Sequence, residues 1–132
     1  WYSSGDNVAE LLVLYFNVDS IYAKFELNNT YVVESYDIGG VMTEYNGTYV
    51  QTKSDVDDIW TISINQSAPS AGESEGIFEI YVGVPEYDMK YEVVQTEPDL
   101  GNIPPTPEDG FGSSNAGALG DINIQKYYRI SY

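Results

Sequence analysis

Apolar and polar side chains alternate with period two over most of this chain. From Ser20 to Leu27, residues Ile21, Ala23, Phe25 and Leu27 fall on one side and Tyr22, Lys24 and Glu26 on the other, which is the pattern of a strand with one face in a core. Asn28-Asn29 follows as a turn that tolerates positive φ, and Thr30 to Tyr36 reads as the returning arm of a hairpin. Asp37-Ile38-Gly39-Gly40 repeats the device. Val41 to Tyr45 and Thr48 to Thr52 flank Asn46-Gly47, where a tight turn and a bulge in one long bent strand both fit, the bulge being preferred.

Lys53 to Asp58 predicts a polar turn, and Ile59 to Asn65 a core strand with Trp60, Ile62 and Ile64 on one face. Ser67 to Gly76, rich in Ser, Ala, Gly and Glu, predicts an exposed loop. Ile77 to Val82 resumes the alternation with Phe78, Ile80 and Val82 inward. After a turn around Pro85, Met89 to Gln95 places Met89, Tyr91 and Val93 inward. From Thr96 to Asp121 the pattern gives way to a Pro- and Gly-rich stretch too long for an ordinary hairpin loop. Ile122 to Tyr132 then reads as a closing strand. At the front, Asn7 is placed to cap a short helix in which Val8, Leu11, Leu12 and Tyr15 recur at i, i+3, i+4 and i+7. A strand from Leu11 to Asn17 also fits, and the helix is preferred.

Sequential hairpins with short turns build an up-and-down antiparallel sheet, and about eight such strands can close on themselves and remove the exposed edges. The expected fold is therefore all-β, an antiparallel up-and-down barrel of about eight strands with a short N-terminal helix. A sandwich of the same strands would need crossovers that the short turns argue against. A length of 132 residues suits one domain spanning 1–132. Closure would pair the first residues with the last strand and bring Trp1 close to Arg129.

Composition sharpens the functional reading mainly by exclusion. Histidine and cysteine are both absent, so Ser-His-Asp and Cys-His catalysis and His- or Cys-ligated zinc are ruled out. No phosphate-cradling glycine motif precedes a helix. Five basic against 21 acidic residues give a net charge of −16, which repels nucleic acid and anionic lipid surfaces. No apolar run is long enough to span a bilayer as a helix. The expectation is no nucleic-acid partner, no membrane insertion of this domain and no cofactor. A carboxylate pair such as Glu79 and Glu92 offers acid–base chemistry on paper, but no local motif singles it out, and the expectation is a protein that is not an enzyme. Asp55, Asp57 and Asp58 bring hard oxygen ligands together, yet they lack EF-hand spacing and read as a solvated turn, with no metal site.

The order of an N-terminal Trp, IYAKFELNNTYVV, GTYV, IWTISIN, MKYEVVQTEP, PPTPEDGFG and a terminal YYRI resembles the lipocalin-like lipoproteins of Bacteroidetes over nearly the whole chain. The resemblance implies a calycin-type barrel in the periplasm or on the cell surface of a bacterium, with a targeting segment outside this chain. It also implies a structural pair in which Trp1 on the first strand packs across the barrel floor beside Arg129 of the last.

Thirteen tyrosines, four phenylalanines and two tryptophans supply faces on which apolar ligands and sugar rings both stack. An eight-stranded barrel is just wide enough to be filled by side chains or to hold one small ligand. If a pocket exists, its expected walls are Phe25, Val33, Trp60, Ile62, Phe78, Ile80 and Tyr91, with the Pro- and Gly-rich loop carrying Pro105 and Phe111 as a lid. The first functional expectation is a non-catalytic binding or accessory domain for a small apolar or amphipathic ligand. The alternatives are a carbohydrate-binding module using exposed tyrosines such as Tyr36, Tyr45 and Tyr49, and a solid barrel whose long loop docks on a protein partner.

Overall fold

The structure is a computed structural model that describes residues 1–130; Ser131 and Tyr132 of the expected closing strand lie outside the described residues. Eight antiparallel strands form one sheet in sequence order: β1 (Tyr2–Ser4), β2 (Val18–Phe25), β3 (Thr30–Asp37), β4 (Met42–Lys53), β5 (Ile59–Ala68), β6 (Gly72–Ile80), β7 (Met89–Glu97) and β8 (Gln125–Tyr127). The sheet curls until its two outer strands meet. Tyr2 N–H donates to the Tyr128 carbonyl at 2.8 Å and Tyr128 N–H returns the bond at 2.7 Å, so the barrel is closed by a single bridge.

The hairpins form where side-chain oxygens satisfy turn amides. Asn28 Oδ1 accepts from Thr30 N–H at 3.2 Å, with Asn29 at φ 68°, and Asp37 Oδ1 accepts from both Gly39 and Val41 N–H at 2.9 Å. Asn46-Gly47 is not a turn. β4 runs straight through it, and the register with β5 slips there, Asn46 facing Ala68 and Gly47 facing Gln66, so Ser67 is the extra residue of a bulge. A Cβ on Gly47 would collide with the Asn65 backbone, which is why the bulge needs glycine at that point.

Four local expectations are corrected. Ser67 to Gly76 is largely strand: β5 continues to Ala68 and β6 begins at Gly72, leaving a short turn. Its polar side chains project from a pleat whose backbone groups are paired, so composition is a poor guide there. Val82 is 98% exposed, because β6 ends at Ile80. The closing strand is only Gln125–Tyr127. The helix α1 (Glu10–Phe16) starts beyond Asn7, which sits in a 3-10 turn and donates from its side chain to the Glu86 carbonyl at 3.0 Å. The helix ends at Asn17, whose left-handed φ of 54° lets its N–H reach back to the last turn.

Alternation sets the faces. Ile21, Ala23, Tyr31, Tyr49, Ile62, Phe78, Met89 and Tyr127 form the buried cluster inside the barrel, Ile21, Ile62, Phe78 and Met89 each contributing about 1.5–3 kcal/mol by leaving water. Residues Ile77, Glu92 and Val94 have the opposite parity and should meet solvent, yet they are buried too. The segment 98–124 covers them. It lies along the outside of β7, with Pro105 and Pro107 buried, and its asparagines finish the β7 edge that short β8 leaves open: Asn123 Nδ2 donates to the Val93 carbonyl and Asn102 Nδ2 to the Gln95 carbonyl, both at 3.0 Å.

Candidate functional site

The barrel interior is hollow, and Phe25 and Tyr91, with ring centroids 6.5 Å apart, divide it into two chambers. The lower is a void of about 80 Å³ against Trp1, Ile62, Phe78, Ile80 and Met89. The upper measures about 380 Å³, the space of roughly a dozen waters at liquid density. It opens at the end of the barrel occupied by α1, where Leu12 and Phe16 form one side of the mouth and Gln66, Ser74 and Gln95 another.

The seven expected wall residues are distributed unevenly. Val33 lines the upper chamber, Ile62, Phe78 and Ile80 the lower, and Phe25 and Tyr91 both. Trp60 lines neither: it is half-buried and stacked on Phe78, with centroids at 6.0 Å and planes at 20°. Of the tyrosines expected on the surface, Tyr49 is instead buried and donates from its hydroxyl to the Glu26 carbonyl at 2.7 Å, while Tyr45 faces the upper chamber. Both have the inward parity of β4, which holds because β4 itself carries no bulge at Asn46-Gly47 and the extra residue, Ser67, belongs to β5. Tyr36 lies on the outer face. The residues missed by sequence reasoning are Tyr31, Tyr127, Gln66, Ser74 and Gln95, because polar and phenolic positions in a strand carry no mark of an interior that is not filled.

Pro105 and Phe111 do not form a lid. Neither lines a chamber, and Phe111 is half-buried on the outside of β7, where the Lys90 ammonium sits 5.7 Å from its ring. The loop is a strap, and Glu92 is its anchor. This carboxylate, fully buried, accepts from Gly112 N–H at 2.7 Å, from Ser114 N–H at 3.1 Å and from the Ser114 hydroxyl. Asn123 Nδ2 supports Ser114 Oγ at 3.1 Å. Glu79 accepts instead from the Tyr81 hydroxyl at 3.0 Å. Both carboxylates have the outward parity of their strands, so they do not meet in the cavity as an acid–base pair. Among the described residues no group of three or more acids is placed to hold a metal ion; at Asp55–Asp58 the turn is closed by Lys53, whose ammonium donates to the Ser54 and Asp57 carbonyls at 2.6 Å.

Three tyrosines give the upper chamber its chemistry. Tyr31 and Tyr127 are 3% and 5% exposed, and Tyr91 packs edge-on against Tyr127 with centroids at 6.0 Å. Burial pushes the Tyr31 hydroxyl up to about 12 and lifts those of Tyr127 and Tyr91 further, Tyr91 also feeling its two neighbours. Buried tyrosines usually find a hydrogen-bond partner. Among the described residues these three hydroxyls bond to no other side chain or backbone group, and since the fully buried unpartnered polar atoms are Ser3 Oγ and Gln125 Nε2, the phenol oxygens keep accessible surface on which a guest or water can bond.

Two other features bear on function. At the barrel floor the Arg129 guanidinium lies over the Trp1 ring at 5.1 Å from its centroid, a cation–π contact that ties the last strand to the first. On the outer face Tyr2, Tyr22 and Tyr36 form a cross-strand row, but their planes meet at 45° and 83°, so the rings pack against one another rather than present a flat platform. Compared with family models, with curated proteins and with solved structures, the chain matches none.

Proposed function

We propose that this domain is a non-catalytic binding barrel that takes a small apolar or amphipathic ligand into the upper chamber, a role at a bacterial surface or in the periplasm being the setting its sequence resemblance suggests. The observation that carries the reading is a cavity of about 380 Å³ walled by aromatic and aliphatic side chains and lined by Tyr31, Tyr91 and Tyr127, whose hydroxyls have no protein partners. A core selected only for stability would close such a space, since each lost contact costs free energy. Pockets of this size and character are typical of small-molecule sites. The tilted outer tyrosines give less support to a glycan platform, and the strapped loop gives less to a loop that docks on a partner.

Titration with N-phenyl-1-naphthylamine, an uncharged dye that brightens in apolar surroundings, tests the reading. Saturable binding is expected, lost in Ser74→Trp, which blocks the mouth, while the melting temperature stays near that of the parent. Absence of saturable binding, or binding indifferent to Ser74→Trp, would refute it.

A further inference from the structure

We propose that the cavity selects uncharged amphiphiles, receiving a hydroxyl or carbonyl oxygen of the ligand at the Tyr31, Tyr91 and Tyr127 cluster, and discriminates against carboxylates and ammonium ions of the same chain length. This inference rests on the reading of the barrel as a binding cavity and specifies its ligand class.

No acidic or basic side chain lines the upper chamber. The chain has five cations in all, and each is engaged elsewhere. Lys24 pairs with Glu26 at 3.0 Å on the outer surface, and Lys53 closes the Asp55–Asp58 turn. Lys90 sits among the Tyr81, Tyr87 and Phe111 rings, Lys126 lies over Tyr87, and Arg129 covers Trp1. A ligand carboxylate would enter a desolvated space with no counter-charge, past a chain of net charge −16, and such burial is strongly unfavourable. An ammonium ion meets the same obstacle, because the nearest carboxylates lie outside the cavity.

A phenol hydroxyl both donates and accepts, so three of them facing one space match an alcohol, ketone or ester oxygen, which needs a bond of moderate strength and brings no charge to be desolvated. Ser35, Gln66, Ser74 and Gln95 add uncharged polar groups towards the mouth. Apolar walls around neutral donors and acceptors describe a site for a molecule with a greasy body and an uncharged oxygen.

Displacement of the bound naphthylamine dye at pH 8 by decan-1-ol, decanoate and decylamine provides the test. Decanol is expected to compete at a concentration at least tenfold below either ion; competition by decanoate or decylamine within tenfold of decanol would overturn the inference. Dye binding that decanol fails to displace also overturns it while leaving the binding cavity standing, whereas no dye binding at all removes the cavity reading itself. In Tyr91→Phe and Tyr127→Phe, with the fold checked by melting, decanol should weaken about fivefold relative to the dye, the loss of one net hydrogen bond. An unchanged ratio in both variants would deny the hydroxyls their role.

Discussion

Removing the carboxylate of Glu92 should loosen the strap and cost the barrel a large part of its stability. The side chain is fully buried on the outer face of β7 and accepts three hydrogen bonds from Gly112 and Ser114. Bonds to a charged acceptor contribute about 1.5–3 kcal/mol each, so three give about 5–9 kcal/mol. Against this stands the cost of holding a carboxylate away from water with no cation on it, several kcal/mol, which the variant no longer bears. Glu92→Ala is therefore expected to lose about 3–5 kcal/mol net, the bonds lost less the desolvation cost relieved. For a chain of this length that is about 10–20 °C in melting temperature. Glu92→Gln keeps the shape but turns an amide NH₂ towards a donor, and should lose about 2–3 kcal/mol. Ser114→Ala alone should lose about 1–2 kcal/mol, and less than that on top of Glu92→Ala, since the two share a bond. Thermal and urea unfolding measure the loss. Thermolysin, which cuts beside Leu100, Ile103 and Phe111, reports the strap, and cleavage there should accelerate in both Glu92 variants. A Glu92→Ala protein that melts within 3 °C of the parent and resists thermolysin equally would refute the anchor role.

Three further outcomes follow from the geometry. Gly76 lies where β6 and β7 approach most closely: an added Cβ would strike the Glu92 carbonyl oxygen and stand 2.7 Å from Val93 Cα, so Gly76→Ala should destabilise by about 2–3 kcal/mol in urea unfolding through forced separation of the strands. Arg129→Met removes the charge over Trp1 while keeping the side-chain bulk, and is expected to cost about 1 kcal/mol and to shift the Trp emission. Absorbance titration of the phenols at alkaline pH should show a buried set that ionises late, Tyr31 near 12 against about 10 in an unfolded chain. These phenols stay neutral in the fold after they would ionise in the unfolded chain. Their contribution to stability is thus complete below pH 10 and declines as pH rises from 10 towards 12; a single ionisation step near pH 10 with the fold intact would contradict that burial.

The barrel itself was legible because the β2–β3 and β3–β4 hairpins carry two independent signals, alternation and turn chemistry. At Asn28-Asn29 and Asp37–Gly40 the side chains that named the turn are the ones that bond its amides. Gly47 illustrates a weaker case: Asn-Gly is the commonest two-residue hairpin signal, yet β4 runs on as one strand there, and the bulge lies opposite it at Ser67 of β5 rather than in β4. The Trp1–Arg129 contact at the floor follows from closure. The cavity was only half legible. Phe25, Val33 and Tyr91 read correctly as inward, but whether inward residues touch across the barrel depends on summed side-chain volume over strands far apart in sequence, and no local pattern encodes it.

Strand β7 shows most clearly what a periodic reading leaves out. Met89, Tyr91 and Val93 were rightly placed inside, and by the same logic Lys90, Glu92 and Val94 belonged in water. The period of two reports which face the curled sheet covers; it is silent about a face covered by another part of the chain. Here the cover is a Pro- and Gly-rich segment with no periodicity of its own, and its attachment point is a glutamate, the residue type least expected in a buried position. Because two of the three bonds that hold Glu92 come from the backbone amides of Gly112 and Ser114, most of its attachment leaves no trace in side-chain identity, and only the Ser114 hydroxyl and the positive φ of Gly112 tie it to residue type. The strap thereby does two things an edge strand would otherwise do. Asn102 and Asn123 satisfy the carbonyls of β7 beyond the reach of β8, and the buried Ile77 and Val94 give the outer face a second, smaller core. With closure resting on one Tyr2–Tyr128 bridge, that second core lets the barrel keep a hollow interior, because part of the burial that a filled core would supply is moved to the outside of the sheet.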